Sequence, residues 1–382
     1  MGQMFSPSWA NGTAFMQSGM KLFILSDDFS GDGPVWMNIF WPHYTAYAAS
    51  APTVLMSTPY QQPAPGRLGF YLQNRREKQG HGDRLCDQVR REKDPDGPNI
   101  LIVWALNIRD IVRARLLEPV WDQFDHTVLW VLDTINPEYI RLEDLDRFDQ
   151  IASICADMGA DFETRTGKTV LYMPPHTDVL QFGTHDAFRP LDLMVIGRRE
   201  EKLYNPIHLH FNQRSVKRIS ADLRTRTKNF SATPREECQI LMNAYARSKI
   251  AFCFEASNSH PRFRGYSPLT ERWAHAWASG CTVVGRKPTG RGADAQMDWP
   301  EATLELPETP DDSIAYLETL LEDTEGLERR RIRNVAEAAK RHDTRHRFQQ
   351  LLTALDIAAP EKLEQGLNQL EQMSDKLFEH VA

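Results

Sequence analysis

Three titratable side chains, Glu271, Arg272 and His275, fall within two turns of LTERWAHAWASGCTVVG (Leu269–Gly285), an amphipathic run that passes through Ser-Gly into a β-branched apolar stretch. A helix starting at Thr270 presents unpaired backbone N–H groups at its first turn, and Arg272 adds a cation there. That combination suits an anion such as phosphate. Gly280 stands where a helix end calls for left-handed backbone. Trp273, Ala276 and Trp277 share one helical face and read as core, whereas Glu271 and His275, four apart, share another that reads as cleft or solvent. A second basic group, Gly197, Arg198, Arg199 and Lys202 in LDLMVIGRREEKLYNP, follows an apolar run. Glycine permits close backbone approach, arginine a planar fork and lysine a point charge, together suited to a diphosphate at the carboxyl end of a buried strand. A solvated basic loop and a surface Glu/His pair are the bland alternatives. Between these two groups KIAFCFEASNSHPRFRGYS opens from a strand into a polar loop with Glu255, Ser257, Asn258, Arg262, Arg264 and Tyr266, residue types that can read a sugar or a base.

General-base chemistry needs a carboxylate within hydrogen-bond reach of an acceptor hydroxyl. Asp133, after the apolar run ending at Leu132, and Asp28 or Asp32 in SDDFSGDGP are the candidates. Each also reads as a turn or cap aspartate. LEDLDRFD (Leu142–Asp149) reads as a charged helix face and not as a metal site.

Positioning these groups requires a scaffold, and the chain alternates short apolar runs with helical stretches, as parallel strands with crossover helices do. The runs Lys21–Leu25, Asn99–Trp104, Thr127–Leu132, Gln150–Cys155 and Thr169–Met173 are expected strands of a first half. Leu191–Ile196, Lys249–Phe254, Thr282–Gly285 and Thr303–Leu306 are expected strands of a second, with helices near Glu236–Ala246, Glu271–Ser279 and Asp311–Glu322. MPPHTDVLQFGTHDAFRP (Met173–Pro190) breaks the rhythm and marks a boundary. The expected organisation is an extension over 1–19, a Rossmann-like domain over 20–185, a second over 186–345, and C-terminal helices over 346–382. The charged run from about Glu328 reads as a charged helical cap.

A chain of 382 residues accommodates two domains of ordinary size. Its net charge of −7, from 45 basic and 52 acidic residues, argues against nucleic acid as a partner. Five scattered cysteines form no metal-ligand spacing and suit a reducing compartment. No apolar run reaches the length of about eighteen residues needed to span a bilayer. A cytoplasmic protein is expected, with peripheral contact to the inner face of the membrane left open.

The chain from Met20 to about Ile357 resembles the GT-B glycosyltransferases, in particular a divergent, spore-maturation-like branch. GRREEK resembles that family's "GR, a few residues, then K" element, and LTERWAHAWASGCTVVG its "E-A-x-A-S-G-x-P-V-V" helix and strand. VLWVLDTINPEYI, DQIASICADM, YMPPHTDVLQF and RHDTRHRFQQLL resemble further family segments. The resemblance implies an α/β fold of two Rossmann-like domains facing across a cleft. It implies that Gly197, Arg198, Lys202, Ser267, Thr270, Glu271, Arg272 and His275 line the donor site. Asp133 or Asp28 would be the catalytic base of an inverting enzyme; a retaining one, slightly favoured, can let the donor's diphosphate take the acceptor proton. No metal or other cofactor is implied, because basic side chains and a helix N-terminus neutralise the leaving group. The implied activity is transfer from a nucleotide-sugar to a saccharide, lipid-linked or small-molecule acceptor in bacterial cell-surface glycan synthesis. A nucleotide-sugar 2-epimerase and a non-catalytic glycan- or partner-binding module are the alternatives. The sequence departs from the family in two respects, one of them being Thr282 where the family has a proline after the Ser-Gly pair. Retaining members carry two glutamates eight positions apart, the second on the donor helix against the ribose, and Ser267 and His275 occupy those places here.

Overall fold

A computed structural model of the chain describes residues 19–27, 40–58, 81–197, 199–213, 220–223, 233–255 and 265–380. Two parallel sheets organise it. The first has six strands in the order β2-β1-β3-β4-β5-β6, formed by β1 (Lys21–Asp27), β2 (Thr53–Thr58), β3 (Asn99–Ala105), β4 (His126–Val131), β5 (Gln150–Ser153) and β6 (Val170–Tyr172). The second has five in the order β11-β10-β9-β7-β8, formed by β7 (Leu191–Ile196), β8 (Ser220–Leu223), β9 (Ser248–Phe254), β10 (Thr282–Arg286) and β11 (Leu304–Glu305). In both, the strand order reverses beside the first strand of the sheet, which opens a crevice at the carboxyl ends.

Each sheet is buried on both faces, which is why its strands read as continuous apolar runs. Leu101 and Val103 of β3 join Leu85, Cys86 and Val89 of the helix Asp83–Glu92 on one side. Ile100, Ile102 and Trp104 meet Tyr47, Phe348, Leu351 and Leu363 on the other. The helices Thr344–Ala354 and Glu361–Phe378, last in the chain, therefore cover the sheet formed first. In the second sheet Val195, Phe252 and Val284 pack on the helices Glu201–Phe211 and Pro310–Glu322. Met194, Ala251 and Val283 pack on the helices Pro234–Ala246, Glu271–Ala278 and Thr324–Arg341.

Several expectations need correction. The charged run after Glu328 is helical, as expected, but its charges are partly interior. Arg330, Arg331, Glu337 and Arg345 are buried, and the run is two helices broken at His342–Asp343, with Asp343 accepting from the N–H of Arg345. The Leu142–Asp149 run is a charged helix over Leu142–Asp146, as expected in part, with Asp144 turned inward at 1% exposure and paired with Arg115. The segment Met173–Pro190 does run between the two sheets, and it is tied to the C-terminal helices: Thr177 N–H donates to His342 O and Thr344 N–H to Thr177 O, both at 2.9 Å. Strands β2 and β8 and the helix Trp41–Ser50 were not anticipated. In that helix His43 and Ser50 hold core positions beside Ala46 and Tyr47, so polar residues mask its period.

Candidate active site

The crevice of the second sheet lies between β7 and β9. Immediately beyond β7 stands Gly197 with φ of 71°, a left-handed conformation that turns the chain out of the sheet and that glycine adopts without a Cβ penalty. Arg198 lies outside the described residues. Arg199 stacks over the Tyr204 ring, 5.0 Å to its centroid. Lys202 is exposed on the first turn of the helix Glu201–Phe211, and Glu200 pairs with Arg286 at the end of β10.

Arg272 occupies the mouth of the same crevice. Its Nη2 donates to Phe254 O at 2.8 Å and its Nη1 to Ile196 O at 3.5 Å, so one guanidinium spans the last carbonyls of both strands. The planar fork of arginine allows this; a lysine ammonium could not reproduce both bonds with one geometry. Thr270 is the residue before the helix, as expected, but its hydroxyl does not cap it. The oxygen accepts from Arg272 Nε at 3.4 Å. Gly280 ends the helix with φ of 69°, while Cys281 N–H bonds Ala276 O and Gly280 N–H bonds Trp277 O, the paired closure of a Schellman motif.

The face expected to point to cleft or solvent is interior. Glu271 is 7% exposed and His275 2%. Every residue of this helix except Arg272 is buried, because the helix Pro234–Ala246 covers the side opposite the tryptophans and the His275 ring meets Tyr245 at 6.0 Å. Burial pushes the His275 imidazole down to about 3 and that of His43 to about 4. His43 Nε2–H donates to His176 O at 2.9 Å, and the two rings stack at 4.0 Å. His176 and His342, also fully buried, are held well below the usual histidine range, first by desolvation.

These shifts carry a linkage consequence. A histidine whose folded pKa is depressed takes up its proton in the unfolded chain first, so stability is complete above the unfolded value near 6.5 and is lost as pH falls toward the folded value. At pH 5.5 His43 and His275 together are expected to cost about 3 kcal/mol relative to pH 7.5. Asp178, raised by burial and by Asp343, acts in the opposite direction but is one group against four. Urea titrations at the two pH values check this, and equal midpoints would show that these imidazoles are not held neutral.

Ser267 is buried at 2% exposure, and its hydroxyl is committed on both sides. It donates to Glu255 Oε2 at 2.7 Å and accepts from Thr289 N–H at 2.9 Å. Glu255, the first residue after β9, was read from the sequence only as one of several polar loop residues. Its link to Ser267 spans twelve positions and leaves no local pattern. Asp133 lies two residues past β4, where Oδ1 accepts from Thr134 N–H at 2.7 Å and from the Thr134 hydroxyl at 3.3 Å. Its geometry is that of a turn-forming aspartate. Asp28 and Asp32 fall outside the described residues.

The carboxyl edges of the two sheets face each other. Asp157 and Asp161, on the helix after β5, reach loops that follow β9 and β10: Arg291 N–H donates to Asp157 Oδ2 at 2.8 Å, and the Tyr266 hydroxyl donates to Asp161. Beside this seam lies a cavity of about 140 Å³ whose lining includes Ser153, Cys155, Glu163, Tyr172 and Arg291.

Two facing α/β domains with parallel sheets and a polar crevice at the switch point of the second define a class of two-domain Rossmann-like proteins. The fold within that class is GT-B. An α-glucosyltransferase in complex with UDP-glucose and DNA containing an abasic site matches with a TM-score of 0.56 at 11% identity, over 88% of this chain and 99% of that one. Anabaena HepE in complex with UDP-glucose matches with 0.51 at 12% identity, over 88% and 99%. An E. coli trehalose-6-phosphate protein bound with UDP-2-fluoro glucose matches with 0.53 at 9% identity, over 89% and 100%. No family model matches the sequence, and no curated protein does.

Proposed function

We propose that the chain is a glycosyltransferase that moves a sugar from a nucleotide-sugar donor to a saccharide, lipid-linked or small-molecule acceptor, in bacterial cell-surface polysaccharide synthesis. The observation that carries this reading is the Arg272 guanidinium spanning the ends of β7 and β9 beside the left-handed Gly197, at the switch crevice of the second sheet. Open α/β sheets bind ligands at that place, and arginine suits a diphosphate. The solved GT-B structures of similar fold hold UDP-glucose or a UDP-sugar analogue, which supports the nucleotide-sugar.

Chemistry without a metal follows if cationic side chains and a helix N-terminus meet the leaving diphosphate. Retention of configuration is the favoured course, because Asp133, the candidate base within the described residues, is built into its own turn. Nucleic acid is not proposed as an acceptor; the net charge of −7 opposes a polyanion. Among the described residues no helix is long and apolar enough to cross a membrane. We place the reaction on the cytoplasmic side, with contact to a membrane limited to the surface.

Thermal denaturation with UDP, GDP, ADP, dTDP and CMP tests the donor site. A ligand at about 100 times its Kd adds about 2.7 kcal/mol to stability and raises the melting temperature. One nucleotide is expected to do so, and its sugar derivative is expected to be hydrolysed slowly without acceptor and consumed faster with one. A flat response to all five overturns the proposal, and interconversion of the donor sugar at C2 with no acceptor would point to an epimerase instead.

A further inference from the structure

The short link that leads into the helix Glu271–Ala278 is rooted in both domains at once. Tyr266, 9% exposed, belongs to the hydrophobic cluster of the first sheet, together with Cys155, Met158 and Phe162. Leu269, 1% exposed, belongs to a cluster of the second, together with Trp273 and Trp277. Pro268, between them, fixes a backbone torsion of the link. The helix begins directly after Thr270, and Arg272 is the residue of it that is not buried.

The first domain grips this link from the helix Ala156–Thr166, where Asp157 and Asp161, four positions apart, share one face. Asp161 accepts from the Tyr266 hydroxyl, and Asp157 Oδ2 accepts from Arg291 N–H at 2.8 Å. The loop after β10 is tied back to the link in turn. Gly290 N–H donates to Ser267 O at 2.8 Å, and Thr289 N–H to the Ser267 hydroxyl at 2.9 Å. A Cβ on Gly290 would come within 2.5 Å of Ser267 O, so the two loops meet backbone to backbone.

We propose that Tyr266 and Asp161 are positioning residues for the nucleotide: their bond fixes where the helix Glu271–Ala278 begins, and so where the Arg272 guanidinium stands at the mouth of the crevice. This rests on the donor-site reading above and makes binding on the second domain depend on a carboxylate of the first. A hydrogen bond to a carboxylate is charge-assisted, and ligand-binding groups need placement to within about 0.5 Å, which bonds of this kind supply.

The test measures, by isothermal titration, the affinity of whichever of UDP, GDP, ADP and dTDP stabilises the chain most, and of its bare nucleoside. Tyr266→Phe keeps the ring in the first core and Asp161→Ala removes the carboxylate, so each deletes the same bond from one side. Each is expected to lower the ratio of diphosphate to nucleoside affinity by about threefold or more, and the double variant to lower it no further than either single one. In the Arg272→Ala background, Tyr266→Phe is expected to leave the ratio where Arg272→Ala alone puts it, because it acts through that guanidinium. A ratio unchanged in both Tyr266→Phe and Asp161→Ala overturns the assignment and leaves the donor-site reading in place. So does an equal weakening of nucleoside and diphosphate, the mark of a loosened domain contact, or a loss that persists in full without Arg272. If wild type binds none of the four, the diphosphate site and this assignment fall together.

Discussion

Arg345→Ala is expected to destabilise the chain by about 3–5 kcal/mol, the cost of breaking a buried charge pair by removing one partner. Arg345 Nη1 donates to Asp178 Oδ1 at 2.9 Å and to Asp343 Oδ1 at 3.0 Å, and all three side chains are 7% exposed or less. Asp343 also receives Val179 N–H and Arg345 N–H, and Asp178 receives Gln181 N–H and the Thr45 hydroxyl. The arginine is therefore the cation of a node that joins the crossover segment, the helix Trp41–Ser50 and the C-terminal helices. Its aliphatic stem is covered by the helix Glu361–Phe378 at Gly366, where a Cβ would come within 2.6 Å of Arg345 Cδ. Without the guanidinium, two carboxylates face each other away from water, and at least one is expected to bind a proton near neutrality.

That adds a signature to the loss. A carboxylate with a raised folded pKa favours the folded state as pH falls, so the deficit of Arg345→Ala relative to wild type is expected to narrow between pH 7.5 and 5.5. Chemical denaturation of both proteins at both pH values reads the magnitude and the trend. Combining Arg345→Met with Asp178→Asn and Asp343→Asn removes the stranded charges and is expected to recover much of the stability. A loss below about 1 kcal/mol in the single variant, as for an exposed pair, would show that the node is hydrated.

This node also shows where a sequence stops being informative. The strands were legible because burial on both faces writes an uninterrupted apolar run: β7 has the expected bounds Leu191–Ile196, and β3, β4, β9 and β10 differ from expectation by one residue at either end. Gly280 was legible because left-handed backbone has a local residue preference. Arg345 was read only as part of a charged helical cap, because its partner Asp178 lies 167 positions away and pairing at that range leaves no local pattern. His275 failed for a related reason. An i,i+4 Glu/His pair looks like a polar face until the helix Pro234–Ala246 and the His43 side of the first domain close over it. In the candidate site two local bonds escaped the sequence: Thr270 serves Arg272 and not the helix end, and Ser267 serves Glu255.

Arg272→Ala is expected to weaken nucleoside diphosphate binding by more than tenfold, through loss of a cation at the diphosphate and of its charge-assisted hydrogen bonds. Because Arg272 also ties Ile196 O to Phe254 O, substitution removes a strut as well as a charge, and the two losses must be separated. Arg272→Lys keeps the charge without the bidentate reach. If the diphosphate contact dominates, lysine is expected to restore part of the affinity, and the loss in alanine is expected to be larger for a diphosphate than for the matching monophosphate. Opening of the crevice alone would weaken both nucleotides and the bare nucleoside equally, and lysine would rescue nothing. Lys202→Ala provides the comparison from the other side of the crevice. Lys202 is exposed on the first helical turn after Gly197, so it is expected to lower affinity with no change in ligand-free melting temperature. Isothermal titration of the four proteins with mono- and diphosphates gives the answer, and affinities within threefold of wild type for both Arg272→Ala and Lys202→Ala would move the diphosphate away from this end of the sheet.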